Sequence, residues 1–183
     1  MVFLILGVAV FFSIHFIPST PIRASIVTSL GENRFKGLFS LVAALGLGLI
    51  IYGLSEAEFS PLWAPPVWGR TLLISIMPIV VILWVAAELP NNIKRFVRHP
   101  MLVAMIIWGM GHLIANGDLA TTILFVSFVL FSVFNIISVN ERGNYEPPAP
   151  VGAGKDILTI MLGLVIYALL YYFHGAFTGM PLL

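Results

Sequence analysis

The sequence predicts an all-α protein, a polytopic transmembrane helical bundle of about six spans, and three observations predict it. Apolar residues make up 60% of the 183 positions and charged residues only 9%, whereas a soluble domain carries about 25% charged residues. The apolar residues fall in runs close to the roughly 20 residues that cross a bilayer, the first and fourth nearer the lower limit. The nine basic residues punctuate these runs instead of forming one patch. The net charge of +1 therefore gives no reason to expect nucleic acid as a partner, and the lipid bilayer is the partner that the composition implies. Spans are expected at about 2–17, 37–54, 71–89, 101–115, 119–139 and 156–173, all in a single integral membrane domain over residues 1–183 with no internal repeat. Five crossings would follow if the first run were re-entrant.

The first run, VFLILGVAVFFSIHFI, lacks the positively charged start and small-residue cleavage site of a cleaved signal peptide, so it is expected to remain as a span. Pro18 and Pro21 end it, and His15 near its end shares a helical face with Phe11, Val8 and Leu4. Residues 20–35 have the mixed polarity of an interfacial helix, with Ile22, Ile26, Val27 and Leu30 recurring at three and four, Thr20-Pro21 at its start and Gly31 as its stop. The second run carries Ala43, Ala44, Gly46, Gly48 and Gly53, small residues that allow helices to approach closely. The loop 55–70 holds Glu56, Glu58, three prolines, Trp63 and Trp68. Tryptophans beside the end of a span fit an aromatic belt at the headgroup level, and the two glutamates read as solvated loop residues before they read as an acid-base pair.

The third run contains Pro78, which should kink it unless a neighbour satisfies the freed carbonyl. The fourth, MLVAMIIWGMGHLIA, has one ionisable residue set into it, His112. An ionisable side chain inside the membrane is costly and marks a functional site. Asn116-Gly117-Asp118 reads as a tight turn in which Asp118 caps the fifth span. Asn135 within that span, and Glu88 at the end of the third, are expected to hold helices together. Residues 140–155 are a proline- and glycine-rich loop, and His174 closes the sixth run.

Charge placement orients the chain. Arg23, Arg34 and Lys36 lie in the first loop, Lys94, Arg95 and Arg98 in the third, and Arg142 and Lys155 in the fifth, so eight of the nine basic residues occupy odd-numbered loops. Those loops should be cytoplasmic and both termini should face out. His15 then sits near the cytoplasmic face, His112 lies roughly 21 Å along its helix from Arg98, and His174 lies near the outer face. On depth alone, His112 is nearer His174 than His15.

The absence of cysteine excludes disulfides, thiolate nucleophiles, iron-sulfur clusters and thiolate-ligated haem. Redox or metal chemistry must therefore rest on the four histidines. Two intramembrane histidines on different spans are what a bis-imidazole, non-covalent haem b needs, and Gly109 and Gly111 beside His112 would let a flat macrocycle approach. A membrane histidine also serves simply as a hydrogen-bonding contact between helices, and the spacing leaves both roles open. His99 and His112, thirteen residues apart, fall on nearly opposite helical faces and cannot share one metal. Arg98 and His99, with Lys94 and Arg95, would attract an anionic headgroup or a cofactor phosphate or carboxylate, or would serve as a topological anchor.

The run Arg98-His99-Pro100-Met101, then Trp108, then His112-Leu113-Ile114-Ala115-Asn116-Gly117-Asp118, resembles the NnrU family of bacterial membrane proteins. Supporting matches are Phe11-Phe12-Ser13-Ile14-His15, Gly37-Leu38-Phe39-Ser40, Leu62-Trp63, Leu89-Pro90 and Phe173-His174, so the resemblance covers nearly the whole chain. It implies a multi-pass protein of the bacterial inner membrane. The family is named for an association with nitrite and nitric oxide reduction in denitrifiers, which implies an accessory role beside respiratory nitrogen-oxide enzymes. It also includes the plant and cyanobacterial 15-cis-zeta-carotene isomerase, a haem-b membrane enzyme. That likeness implies haem ligands at His15 and His112, and cis-trans isomerisation of a lipid-soluble polyene if the chain is an enzyme. The isomerase carries a cysteine three positions before the second histidine, where this chain has Gly109, so a thiolate-switching mechanism does not transfer. Val97-Arg98-His99-Pro100-Met101 is also similar to the cofactor-binding segment of membrane methyltransferases. Only Glu141 stands where those enzymes carry paired glutamates, which leaves half of that motif missing.

Overall fold

The computed structural model describes residues 1–143, 145–180 and 182. Asn144 of the predicted fifth loop and Pro181 and Leu183 of the tail lie outside the described residues. The described residues form helices α1 (Val2–Phe16), α2 (Ile22–Leu30), α3 (Glu32–Ser55), α4 (Gly69–Glu88), the short α5 (Ile93–Phe96), α6 (Pro100–Ala115), α7 (Leu119–Arg142) and α8 (Ala153–Thr178), with a 3₁₀ turn over Ile17–Ser19. The predicted all-α class holds: among them the only β pairing is a single bridge between Pro61 and Asp118. Five helices are long and apolar enough to cross a membrane, and α6, with 16 residues, is a shorter apolar sixth. At about 1.5 Å per residue α6 covers about 24 Å, a little less than a typical hydrocarbon core of about 30 Å. The chain divides into two compact units.

The first unit comprises Met1–Pro65 and Asn116–Glu141. Its centre is the close approach of α1 and α3. A Cβ on Gly7 would stand 2.6 Å from the Ile50 amide nitrogen, and one on Gly46 would stand 2.7 Å from the Phe11 amide nitrogen. Gly53 meets the backbone of Phe3 and Leu4 in the same way, and Leu4 is fully buried there. Glycine is therefore required at these crossings because backbone packs on backbone. Gly48, on the same helix, has nothing within 4 Å of its Cβ position. Gly31 stops α2 as expected, with φ +82° in the left-handed region that only glycine adopts freely. Helix α3 starts at Glu32, ahead of the apolar run. Glu32 joins Arg23 of α2 at 2.9 Å and Lys36 at 3.5 Å, and an acidic residue in the first turn suits the helix dipole.

The remainder of this unit is an aromatic face and a tied loop. Phe12 and Phe16 of α1 meet Phe131 of α7, with ring centroids 4.9 and 5.2 Å apart. Buried Asn135 accepts from the Ser19 hydroxyl at 3.4 Å and donates to the Phe131 carbonyl at 3.0 Å. Asp118 caps α7 by accepting from the Thr121 amide at 3.1 Å. The Gly117 carbonyl accepts from the Leu62 and Trp63 amides at 2.7 and 3.2 Å, so the Trp63 loop is anchored on the turn before α7.

The second unit comprises Pro66–Ala115 and Arg142–Leu183. Here α4 is the shared partner: α6 and α8 both pack on it. Gly111 of α6 faces Leu73 and Ile76, Gly69 of α4 faces the Ile114 carbonyl, and Gly163 of α8 faces the backbone of Ile82 at 2.9 Å. Pro78 removes the amide that would donate to the Ile74 carbonyl, and the hydroxyl of Tyr167 on α8 donates to that oxygen at 3.0 Å. The neighbour that Pro78 requires is thus Tyr167. Below α4, Asn92 donates to the Val151 carbonyl at 2.8 Å and to Asp156 at 2.7 Å, and Val151 donates back to its side-chain oxygen at 3.0 Å. These bonds hold Val151 and the start of α8 against the α4–α6 junction.

Candidate functional site: the intramembrane histidines

His15 lies in the first unit, half-buried near the end of α1. Its Nδ1–H donates to the Phe11 carbonyl one turn earlier at 2.6 Å. A carbonyl only accepts, so Nδ1 carries a proton, and Nε2 is the nitrogen left for another partner. Three helices of the unit surround the imidazole with aromatic rings. Phe11 stacks on it at 4.1 Å, Phe39 of α3 meets it edge-on at 5.0 Å, and Phe131 of α7 stands at 5.9 Å and 87°.

His112 lies in the second unit on α6 and repeats the device. Its Nδ1–H donates to the Trp108 carbonyl at 2.8 Å, and the Trp108 ring lies 5.0 Å away. Gly109 and Gly111 are buried beside it. Gly111 faces the side-chain ends of Leu73 and Ile76 on α4, so one of the two predicted macrocycle-facing glycines serves helix packing. His174 is in the same unit as His112. Its Nδ1–H donates to the Met180 carbonyl at 2.7 Å, with the Thr178 hydroxyl 3.1 Å from the same nitrogen.

Arg98 and His99 are set at the start of α6, at the other end of that helix from His112. Arg98 donates to the Gly143 carbonyl at 3.2 Å, and its guanidinium lies 5.0 Å from the centre of the Tyr145 ring. The His99 carbonyl accepts from the Val103 amide at 2.9 Å, which places His99 at the N-terminal boundary of α6.

The shared geometry of His15 and His112 was legible in part. Each follows an aromatic residue by four positions, Phe11 and Trp108, and that spacing puts the ring nitrogen beside the carbonyl one turn back. The Phe39 and Phe131 contacts to His15 come from distant stretches and carry no local signal. Chemically, an imidazole with its Nδ1–H tied to a carbonyl is oriented and made more basic at Nε2, the arrangement found in histidines that hold a metal. Among the described residues no three His, Cys, Asp or Glu side chains gather as a metal-ion cluster. Each imidazole, oriented and set in apolar or aromatic surroundings, has the donor chemistry through which it would hold a haem.

Long apolar helices with oriented histidines set among them define the class: a multi-pass helical membrane protein. The particular family follows from comparison with known proteins. The model of the family described as NnrU protein matches residues 3–182, and the chain belongs to that family. It matches no curated protein and no solved structure.

Proposed function

We propose that the protein binds haem b through His112, and that it acts on a lipid-soluble polyene by cis-trans isomerisation. The observation that carries the haem reading is the bond from Nδ1–H of His112 to the Trp108 carbonyl, which leaves Nε2 as the atom through which His112 would hold the group. The family likeness implies His15 as the second ligand, and His15 has the same bond to Phe11. His174, in the same unit as His112, is the alternative. The chemistry such a group supplies when bound is electron density lent to a conjugated system, which lowers the barrier to rotation about a double bond. The chain's own part is to orient the imidazoles, surround them with apolar and aromatic side chains, and keep bulk water away. The protein would reside in the inner membrane with both termini on the outer side, as its loop charges imply.

Purification after expression with ample haem, followed by absorption spectroscopy, tests the reading. A Soret band is expected in the wild type and should be lost in His112→Ala. His15→Ala should convert six-coordinate to five-coordinate haem. If His174→Ala does so instead, the second ligand is His174. Absence of a Soret band in the wild type would overturn haem binding and favour a non-enzymatic accessory role beside nitrogen-oxide reductases.

A further inference from the structure

We infer that the junction between α4 and α6 is a recognition surface for anionic phospholipid. The junction turns Ile93 and Val97 inward, exposes Arg95 and Phe96, and leaves Lys94 and Arg98 half-buried beside them. Ile93 and Val97, one turn apart, pack against the core of Val80, Leu83 and Ala104. This pins the segment from both ends and leaves Lys94, Arg95 and Phe96 between the anchors. Phe96 is 86% exposed, an unusual position for a phenylalanine beside two cations unless the ring enters the boundary between headgroups and acyl chains.

The charges of this surface are uncompensated. Among the described residues no carboxylate pairs with Lys94, Arg95 or Arg98. The acid held at the junction, Asp156, is engaged by the backbone amide and side chain of Asn92 instead. Arg98 is steadied by the Gly143 carbonyl and the Tyr145 ring, neither of which neutralises it. The first unit gives an internal contrast. Its cations Arg23 and Lys36 share Glu32, so half of their charge is answered within the protein. Three cations without an acid on the segment that carries an exposed aromatic ring complement a phosphate headgroup that carries net negative charge and sits above an acyl chain. A zwitterionic headgroup supplies its own ammonium and gains less from the same cations.

The test is lipid retention in bilayer nanodiscs of phosphatidylcholine and phosphatidylglycerol in equal amounts. Lipid that stays with the released protein is counted by native mass spectrometry. The wild type should retain phosphatidylglycerol preferentially. Each basic residue near a charged surface is worth about 5-fold in affinity, so Lys94→Gln/Arg95→Gln should lower that preference by roughly 25-fold at low salt. Phe96→Ser should weaken retention of both lipids. Arg23→Gln/Lys36→Gln, which removes the same charge from the paired site, should leave the preference nearly intact. Equal retention of the two lipids by the wild type would overturn the inference without any variant. So would an equal loss in the two double variants, which would show a response to total charge alone. Competition by soluble glycerol phosphate as effective as by phosphatidylglycerol would overturn the assignment to a lipid.

Discussion

Replacing Tyr167 by phenylalanine removes one hydroxyl and almost no volume, and it isolates the means by which α4 tolerates Pro78. The proline has no amide, so the Ile74 carbonyl loses its partner inside the helix, and in hydrocarbon no water replaces it. The Tyr167 hydroxyl donates to that oxygen at 3.0 Å. Hydrogen bonds between membrane helices average about 0.6 kcal/mol and reach about 1.7 kcal/mol. A buried acceptor left without a donor costs about 1–3 kcal/mol. Because this acceptor has no helical donor to return to, Tyr167→Phe is expected near the top of the first range, at about 1–2 kcal/mol. The decisive measurement is a double-mutant cycle with Pro78→Ala, which restores the amide at position 78. In that background the Ile74 carbonyl recovers its own helical partner, and Tyr167→Phe should cost less than about 0.5 kcal/mol. Reversible unfolding in mixed micelles, followed by far-ultraviolet circular dichroism, supplies the free energies. Tyr171→Phe, one turn away on α8 and lacking such a bond, is the control, expected to lie within about 0.5 kcal/mol of wild type. An equal penalty for Tyr167→Phe in both backgrounds would refute the reasoning, since it would mean that the hydroxyl answers something other than the proline.

Three further outcomes are expected. Gly46→Ala places a methyl 2.7 Å from the Phe11 amide nitrogen and should destabilise by about 2–3 kcal/mol, because backbone cannot step aside as a side chain can. Gly48→Ala meets nothing within 4 Å and should be neutral or stabilising by up to about 1 kcal/mol, so thermal unfolding of the two variants in detergent must rank them in that order. Asp118→Ala removes the acceptor of the Thr121 amide and should cost about 1–2 kcal/mol, with most of it recovered in Asp118→Asn, as chemical unfolding would show. An alkaline phosphatase reporter inserted after Gly152 should be inactive and one inserted after Glu58 active, and the reverse pattern would overturn the orientation drawn from loop charges.

What hydropathy makes legible is demand, and what it hides is supply. The apolar runs announce helices because a bilayer leaves backbone groups no other partner, and Pro78 announces an orphan carbonyl for the same reason. Yet the donor that answers it lies on α8, at Tyr167, where nothing in the local pattern sets that tyrosine apart from Tyr171. The glycines of α3 behave similarly. Gly46, Gly48 and Gly53 all qualify for close packing, but whether each meets a partner depends on the rotational phase of α1, which brings its backbone to Gly46 and Gly53 and misses Gly48. Gly7, alone in its apolar run, attracts no notice and makes one of the tightest approaches. The start of α3 at Glu32 is equally invisible to hydropathy, because an ion pair with Arg23 secures it. For the histidines the division falls within one side chain. Helical geometry dictates that a residue at i+4 can reach the carbonyl at i, so the orientation of His15 by Phe11 and of His112 by Trp108 follows from spacing. Which histidine would complete the proposed haem site is a matter of tertiary contact, which local spacing does not encode. A ligand pair is a property of tertiary contact, so the spectra of His15→Ala and His174→Ala, compared with each other, address the one part of the site that lies beyond any reading of local sequence.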